Sequence, residues 1–80
     1  MTRTINEQID VNAFYFVGKD MKTFPRQMEY AGRAVTFADG LRLRLQQDGR
    51  SIYLFNMSGA DGATYRLRQE GAEWTLVGTL

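Results

Sequence analysis

Turn-forming residues recur along the chain at short, regular intervals, and this spacing limits what the chain can fold into. They occur at GKD (18–20), AG (31–32), ADG (38–40), DG (48–49), SGADG (58–62) and EGA (70–72). The segments between them are rich in β-branched and aromatic residues, which favour strands. Turns every 8 to 12 residues or so are typical of antiparallel β-meanders. We therefore predict an all-β fold, an antiparallel meander of six to seven strands that forms a small barrel or a compact sandwich.

Seven segments have the composition of strands. They cover residues 9–17, 23–31, 33–38, 41–47, 50–57, 63–69 and 73–79. Ahead of the first, Thr4-Ile5-Asn6-Glu7 matches the S/T-x-x-E capping box that starts many helices. A chain of 80 residues allows one domain. We predict a single small β domain over residues 1–80, in which residues 1–8 form a loose or briefly helical segment.

The turn at Asp48-Gly49 predicts the register of one hairpin. Asp-Gly favours a two-residue type I′ turn, so residues at equal distances on either side become direct neighbours. The predicted pairs are Leu45–Ile52, Leu43–Leu54, Arg44–Tyr53 and Arg42–Phe55. Because directly opposed side chains share a face, one face is aliphatic and the other combines arginines with aromatic rings. We assign the aliphatic face to the core and the Arg/aromatic face to the exterior, where cation–π contacts can form.

The preceding turn signal, ADG at 38–40, is interpreted in the same way. A three-residue loop there pairs Phe37 with Leu41 and keeps apolar side chains together, which a two-residue loop does not. It also places Gly40 in the left-handed conformation that such a hairpin requires.

The last two turns extend both faces. A four-residue loop at 58–61 places Arg66 opposite Tyr53, and a loop at 70–71 returns the final strand. The resulting core consists of twelve residues: Met28, Val35, Phe37, Leu41, Leu43, Leu45, Ile52, Leu54, Tyr65, Leu67, Trp74 and Leu76.

Several kinds of chemistry lack their residues in this sequence. The chain has no His and no Cys, so it has no imidazole base, no Ser-His or Cys-His nucleophile and no thiolate or imidazole ligand for zinc. Phosphate-binding glycine motifs are also absent. The acidic residues Asp20, Asp39, Asp48, Asp61 and Glu70 all stand in predicted turns, where Asp before Gly is ordinary turn chemistry. We expect no enzymatic activity, no metal site and no cofactor.

The same composition leads to an expectation about compartment. Small secreted domains usually depend on disulfides, so a chain without cysteine fits a reducing environment. No segment approaches the roughly 18 apolar residues of a membrane-spanning helix. The segment MTRTINEQID has no apolar stretch of the kind found in secretory signals. We expect a cytoplasmic protein without a membrane partner.

The Arg/aromatic face is the first candidate binding surface. Its predicted residues are Arg42, Arg44, Tyr53, Phe55, Arg66 and Arg68. Between Leu41 and Arg68 there are five basic and two acidic residues, while the whole chain carries a net charge of +1. Three interpretations remain open: a solvated exterior in which arginine stems cover rings, a protein-binding surface, and a platform for single-stranded nucleic acid.

The aromatic run Phe14-Tyr15-Phe16 is the second candidate surface. Neighbouring residues in a strand point to opposite sides, so the three rings cannot all enter the core. Either Tyr15 faces inward with Val17 while Phe14 and Phe16 face outward, or the reverse holds. The exposed rings are then covered by the loop at 18–24, or they mediate dimerisation or docking.

These observations favour a non-enzymatic binding or interaction module that uses the Arg/aromatic face. An unidentified protein partner or self-association is the expected interaction. One alternative is a small β-barrel that binds single-stranded nucleic acid, and another is a homo-oligomeric structural protein. The fold class alone does not choose among them.

Overall fold

The computed structural model of the protein describes residues 3–80, which form six antiparallel strands. The strands are β1 (Arg3–Val17), β2 (Lys22–Tyr30), β3 (Arg33–Gln47), β4 (Arg50–Gly59), β5 (Thr64–Glu70) and β6 (Glu73–Thr79). Each strand pairs with the next along the chain, and β6 pairs with β1, so the sheet closes into a small barrel. The predicted all-β meander is confirmed, and the barrel is the form it takes.

β1 and β3 are the longest strands, with 15 residues each, and each pairs with two neighbours in succession. The first part of β1 pairs with β6 and the part from Asp10 onward pairs with β2. β3 pairs with β2 as far as Thr36 and with β4 from Phe37 onward. Strands that tilt and change partners in this way allow a sheet of few strands to close on itself.

A β-bulge in β3 decides which of its side chains face the interior. Phe37 pairs with Gly59, whereas Asp39 pairs with the adjacent Ser58, so Ala38 is an extra residue in β3. An extra residue reverses the alternation of all positions that follow it. The even-numbered positions after the bulge therefore follow Phe37 on the interior side of the strand.

The predicted loop at 38–40 is wrong, because β3 continues through these residues. The carboxylate of Asp39 accepts a hydrogen bond of 2.7 Å from the backbone N–H of Gly40, which supports the chain next to the bulge. Gly40 is not in the left-handed region. Instead, the Met57 side chain packs so closely against it that a Cβ at this position would overlap the Met57 sulfur. This glycine therefore serves close packing between strands.

The two-residue turn at Asp48-Gly49 is confirmed. Both residues are left-handed, with φ of 52° and 76°, as a type I′ turn requires. Ala31 and Gly32 join β2 to β3 in the same way, with φ of 53° and 76°. β5 and β6 are joined one residue later than predicted, since Glu70 pairs directly with Glu73.

The buried hydrophobic residues include eight of the predicted core residues and four that were not predicted. The confirmed residues are Met28, Val35, Phe37, Ile52, Tyr65, Leu67, Trp74 and Leu76. The additional buried residues are Ile9, Phe24, Phe55 and Met57. The predicted burial of Leu41, Leu43, Leu45 and Leu54 is wrong, because the first three are exposed and Leu54 is only half-buried. Of the confirmed residues, Ile52 is buried outside the main interior cluster.

The N-terminal segment is extended. Thr4 to Glu7 lie within β1, so the helical turn suggested by the capping box does not form. A register shift between Thr4 and Glu7 is accompanied by a left-handed Asn6, with φ of 52°. Residues 1 and 2 of the predicted N-terminal segment lie outside the described residues.

Barrel closure depends on a close backbone contact at Gly78, which pairs with Thr4 of β1. A Cβ on Gly78 would overlap the carbonyl oxygen of Arg3. We expect Gly78→Ala to lower the free energy of unfolding by about 1–3 kcal/mol, because the backbone of β1 must shift to make room. Urea denaturation measures this effect, with Thr75→Ala in the same strand as the control. Equal denaturation midpoints for the two variants would show that β1 and β6 tolerate a wider separation.

Candidate functional site

The β3–β4 hairpin has the register predicted from Asp48-Gly49. Leu45 pairs with Ile52, and the pairing continues without a shift to Asp39 opposite Ser58. The orientation of the hairpin is reversed, however, because the bulge at Ala38 exchanges the two faces. The aliphatic face lies outside the barrel and the Arg/aromatic face lies on the interior side.

The outward face carries a row of exposed leucines. Leu41 is 74% exposed, Leu43 57% and Leu45 40%. Leu54 of β4 stands opposite Leu43 and is half-buried. We call these four residues the leucine face. Contiguous exposed apolar surface of this kind is a common property of interaction sites.

Two features border the leucine face. A shallow groove of about 420 Å³ is lined by Leu41, Leu43 and Leu54 together with Arg66 and other polar residues. At the other end, Ile52 is only 2% exposed and pairs with Leu45 and Glu70. Apolar surface thus continues from an open groove to a buried isoleucine, with charged residues on its margin.

An ion-pair network surrounds the Ile52 end. Glu70 contacts Arg50 at 2.6 Å and Arg68 at 2.9 Å through its two carboxylate oxygens. Arg68 is therefore already paired and lies opposite Leu54 on the outer surface. Its predicted position on the face that carries Tyr53 is wrong.

The inward face combines buried aromatics with two arginines. Phe55 is 1% exposed, and its ring centroid lies 5.9 Å from that of Phe24 and 5.3 Å from that of Trp74. The predicted exposure of Phe55 is wrong. Tyr53 is half-buried, and the Arg42 guanidinium lies 4.5 Å from its ring centroid.

Arg44 has a different contact. It pairs with Tyr53 in register, but its guanidinium donates a hydrogen bond of 3.2 Å to the Ser51 hydroxyl. The hairpin thus brings Arg42, Arg44 and Tyr53 together on one side, over the buried Phe55. This is the part of the predicted site that the structure assembles.

Arg66 is separated from this group by a different register between β4 and β5. It pairs with Asn56 and donates a hydrogen bond of 3.0 Å from Nε to the Asn56 side-chain oxygen. The predicted loop at 58–61 is too short, since Ser58 pairs with Thr64. The pairing of β4 with β5 is shifted by three residues from the predicted register. Because this number is odd, Arg66 lies on the outward face.

The Asp61 carboxylate organises this longer loop. It accepts a hydrogen bond of 2.5 Å from the Tyr65 hydroxyl and one of 3.1 Å from the Ala63 backbone N–H. The hydrogen bond from Tyr65, followed by that from Ala63, lowers the pKa of Asp61 below its usual 3.8. Burial, followed by the Asp61 interaction, raises the pKa of Tyr65 above 10.0. These contacts fix where β5 begins and hence where Arg66 and Arg68 point.

The aromatic run in β1 follows one of its two predicted arrangements in part. Tyr15 packs against the core, and its ring stacks on Phe24 with centroids 5.4 Å apart. Phe14 and Phe16 are 44% and 57% exposed, as that arrangement requires. Val17 is also exposed, which it does not require. The Arg26 guanidinium lies 4.2 Å from the Tyr15 ring centroid.

In the described part of the chain, the C-terminal half of β3 has a paired strand on one side only. Within residues 3–80, the pairing of β2 with β3 ends at Gln27 opposite Thr36, and residues 41–47 pair with β4 alone. We call residues 41–47 the free edge. It runs directly beside the leucine face, and its backbone can form hydrogen bonds with an additional strand.

The described residues contain no group of acidic side chains suited to holding a metal ion and no helix long and apolar enough to cross a membrane. No protein family, curated protein sequence or solved structure matches the chain. The chemistry available at the hairpin consists of apolar contact, backbone pairing and charge from two arginines.

Protonation of Asp61 should weaken the fold. Because folding lowers the pKa of Asp61, its stabilising contribution is present above the usual pKa of 3.8 and is lost as the pH falls through the lower folded value. We expect the urea midpoint of Asp61→Asn to fall less steeply than that of the wild type as the pH drops below 3.8. Tyr65→Phe should reproduce part of this change. Parallel pH profiles for all three proteins would contradict the assignment.

Proposed function

We propose that the protein is a non-enzymatic interaction module that binds another protein through the β3–β4 hairpin. The observation that carries this proposal is the leucine face beside a free strand edge. Three leucines, 74%, 57% and 40% exposed, lie in one row on the outside of a barrel whose interior is filled by other residues. Covering them would remove apolar surface from water, which is the main favourable term in most protein association.

The barrel interior supports this interpretation because other side chains fill it without the exposed leucines. The buried cluster extends around the barrel from Ile9 to Leu76 and includes Phe37, Phe55 and Met57. A leucine row that contributes little to the core is free to contribute to binding. The arginines flanking it provide the polar margin found around many interfaces.

Selection from a displayed library of random peptides tests this proposal. We expect selected peptides to shift the amide resonances of residues 41–45 and 54. The double variant Leu41→Ser, Leu43→Ser should bind them at least about tenfold more weakly, since truncated central apolar anchors carry most of the affinity. Because both leucines are exposed, folding stability should change by less than about 0.5 kcal/mol per residue.

The matched control is Phe16→Ser, which removes an apolar residue of 57% exposure from β1. It should bind the selected peptides as the wild type does. Peptides that are insensitive to the leucine substitutions, or that shift only residues of β1, would place the binding surface elsewhere and overturn the proposal.

A second candidate function, binding of single-stranded nucleic acid, is favoured by the two arginine–tyrosine contacts. Arg42 lies over Tyr53 and Arg26 over Tyr15, and both tyrosines are half-buried with access to solvent. Bases stack on such rings while arginines contact phosphates. The net charge of +1 supplies little general attraction to a polyanion.

Fluorescence anisotropy with labelled oligothymidine tests this candidate. Binding through these contacts should weaken steeply as salt increases. It should also weaken about fivefold or more in Tyr53→Ala, because stacking on one ring contributes roughly 1–3 kcal/mol. Leu41→Ser is the control, since it changes the outward face only. Absence of binding at low salt removes this candidate.

A further inference from the structure

We propose that the free edge of β3 receives an extended segment of a partner protein in which apolar and acidic residues alternate. The segment adds a strand to the barrel beside residues 41–47. This inference rests on the proposed function, and it specifies the conformation and the chemistry of the partner.

The backbone of the free edge is suited to strand addition. Residues 41–47 continue in regular register with β4, and no shift interrupts them. They contain no proline, which would remove a backbone donor. A regular edge with one unpaired side allows main-chain hydrogen bonds to a peptide, and the side chains of alternate residues then provide specificity.

Apolar residues of the added strand would lie beside the leucine face. Neighbouring strands place directly opposed side chains on the same side of the sheet, within contact distance. Residues opposite Leu41, Leu43 and Leu45 would therefore share the outward face and bury those leucines. This requirement fixes every second residue of the partner segment as apolar.

The residues between them would face Arg42 and Arg44. Within the described chain, neither arginine lies within ion-pairing distance of a carboxylate, whereas Arg50 and Arg68 both contact Glu70. Arg42 contacts Tyr53 and Arg44 contacts Ser51, so both guanidinium groups keep unused donors. Opposite charges across a strand pair are favourable, which predicts Asp or Glu at these positions.

A second copy of the chain does not meet this requirement, because residues 41–47 contain no acidic residue. Symmetric antiparallel pairing of two free edges centred on Leu43 would place Arg42 opposite Arg44 of the other copy. Centring the pair on either arginine places that residue opposite itself. Like charges that are directly opposed are destabilising. If the second copy is rotated so that its opposite face lies outward, each arginine lies opposite a leucine of the other copy.

Two short peptides with identical apolar content test the proposal. One alternates Val with Glu and the other alternates Val with Lys. We expect the Val/Glu peptide to bind at least about tenfold more tightly, and its affinity to fall as salt increases. Bound peptide should slow hydrogen exchange at backbone amides of residues 41–47 that point to the free edge.

Two double variants separate the contributions. Arg42→Gln with Arg44→Gln should reduce the preference for Val/Glu over Val/Lys to less than about threefold while retaining edge protection. Arg33→Gln, at the exposed opposite end of β3, should leave the preference unchanged. Leu41→Ser with Leu43→Ser should weaken both peptides.

The outcomes also separate this inference from the proposed function. Peptides selected from a library that bind the leucine face without protecting the edge amides, or without acidic residues, would overturn the strand-addition proposal and leave the interaction module standing. A concentration-dependent dimer in sedimentation that protects the same amides would identify a second copy as the occupant and overturn it too. Failure of all peptides, selected and designed, would overturn both.

Discussion

Barrel closure by six strands depends on close packing at three glycines, against the backbone of β1 at Gly78 and against side chains at Gly40 and Gly59. At Gly40, Gly59 and Gly78 a Cβ would overlap, respectively, the Met57 side chain, the side chains of Asp61 and Tyr65, and the Arg3 carbonyl oxygen. Glycine in a strand interior weakens the strand unless another group needs the space. Here the space is used by the Met57, Asp61 and Tyr65 side chains and by the backbone of Arg3. The glycines thus permit close packing between β3 and β4, at the start of the 59–63 connection, and between β6 and β1.

The extra residue at Ala38 has an equally wide effect. Without it, the alternation that buries Phe37 would carry Leu41 inward and Arg42 outward. With it, Gly40 takes the interior side, and the space above it is filled by Met57, which is fully buried. The interior then closes around aromatic rings from several strands, including Phe55 against Phe24 and Trp74. This single inserted residue therefore determines which face of the β3–β4 hairpin lies inside the barrel and which face is exposed to solvent.

The sequence predicted local structure well and orientation poorly, for identifiable reasons. Asp48-Gly49 determines a hairpin through backbone preferences of two adjacent residues, so its register could be predicted. The faces of β4 could not be distinguished in this way, because Ile52 and Leu54 on one side are as apolar as Phe55 and Met57 on the other. The signal that was missed is size, since larger side chains fill a closed interior better than a leucine row on a long hairpin.

The bulge at Ala38 and the length of the 59–63 connection were also beyond local inference. Ala-Asp-Gly has the composition of a turn, and only the pairing of β3 with a distant β4 keeps it extended. The start of β5 depends on the hydrogen bond between Asp61 and Tyr65. This bond joins residues on the two sides of a turn and helps to form that turn. Of the candidate site, Arg42, Arg44, Tyr53 and Phe55 share one face of the hairpin as predicted, although the bulge turns Phe55 into the interior. The longer connection places Arg66 and Arg68 on the other face.

The pairing of β6 with β1 differs from the other strand pairs in the sequence separation of its residues. Five of the six strand pairs join neighbours in the chain, so they can form as local hairpins with small losses of loop entropy. The sixth brings Arg3 beside Thr79 and Ile9 beside Trp74, across nearly the whole described chain. Contacts between residues far apart in the sequence slow folding, because the chain loses conformational entropy before these contacts stabilise it. We expect the pairing of β1 with β6 to be the slow step of folding. The β3–β4 hairpin, which carries the leucine face, should form before the barrel is complete.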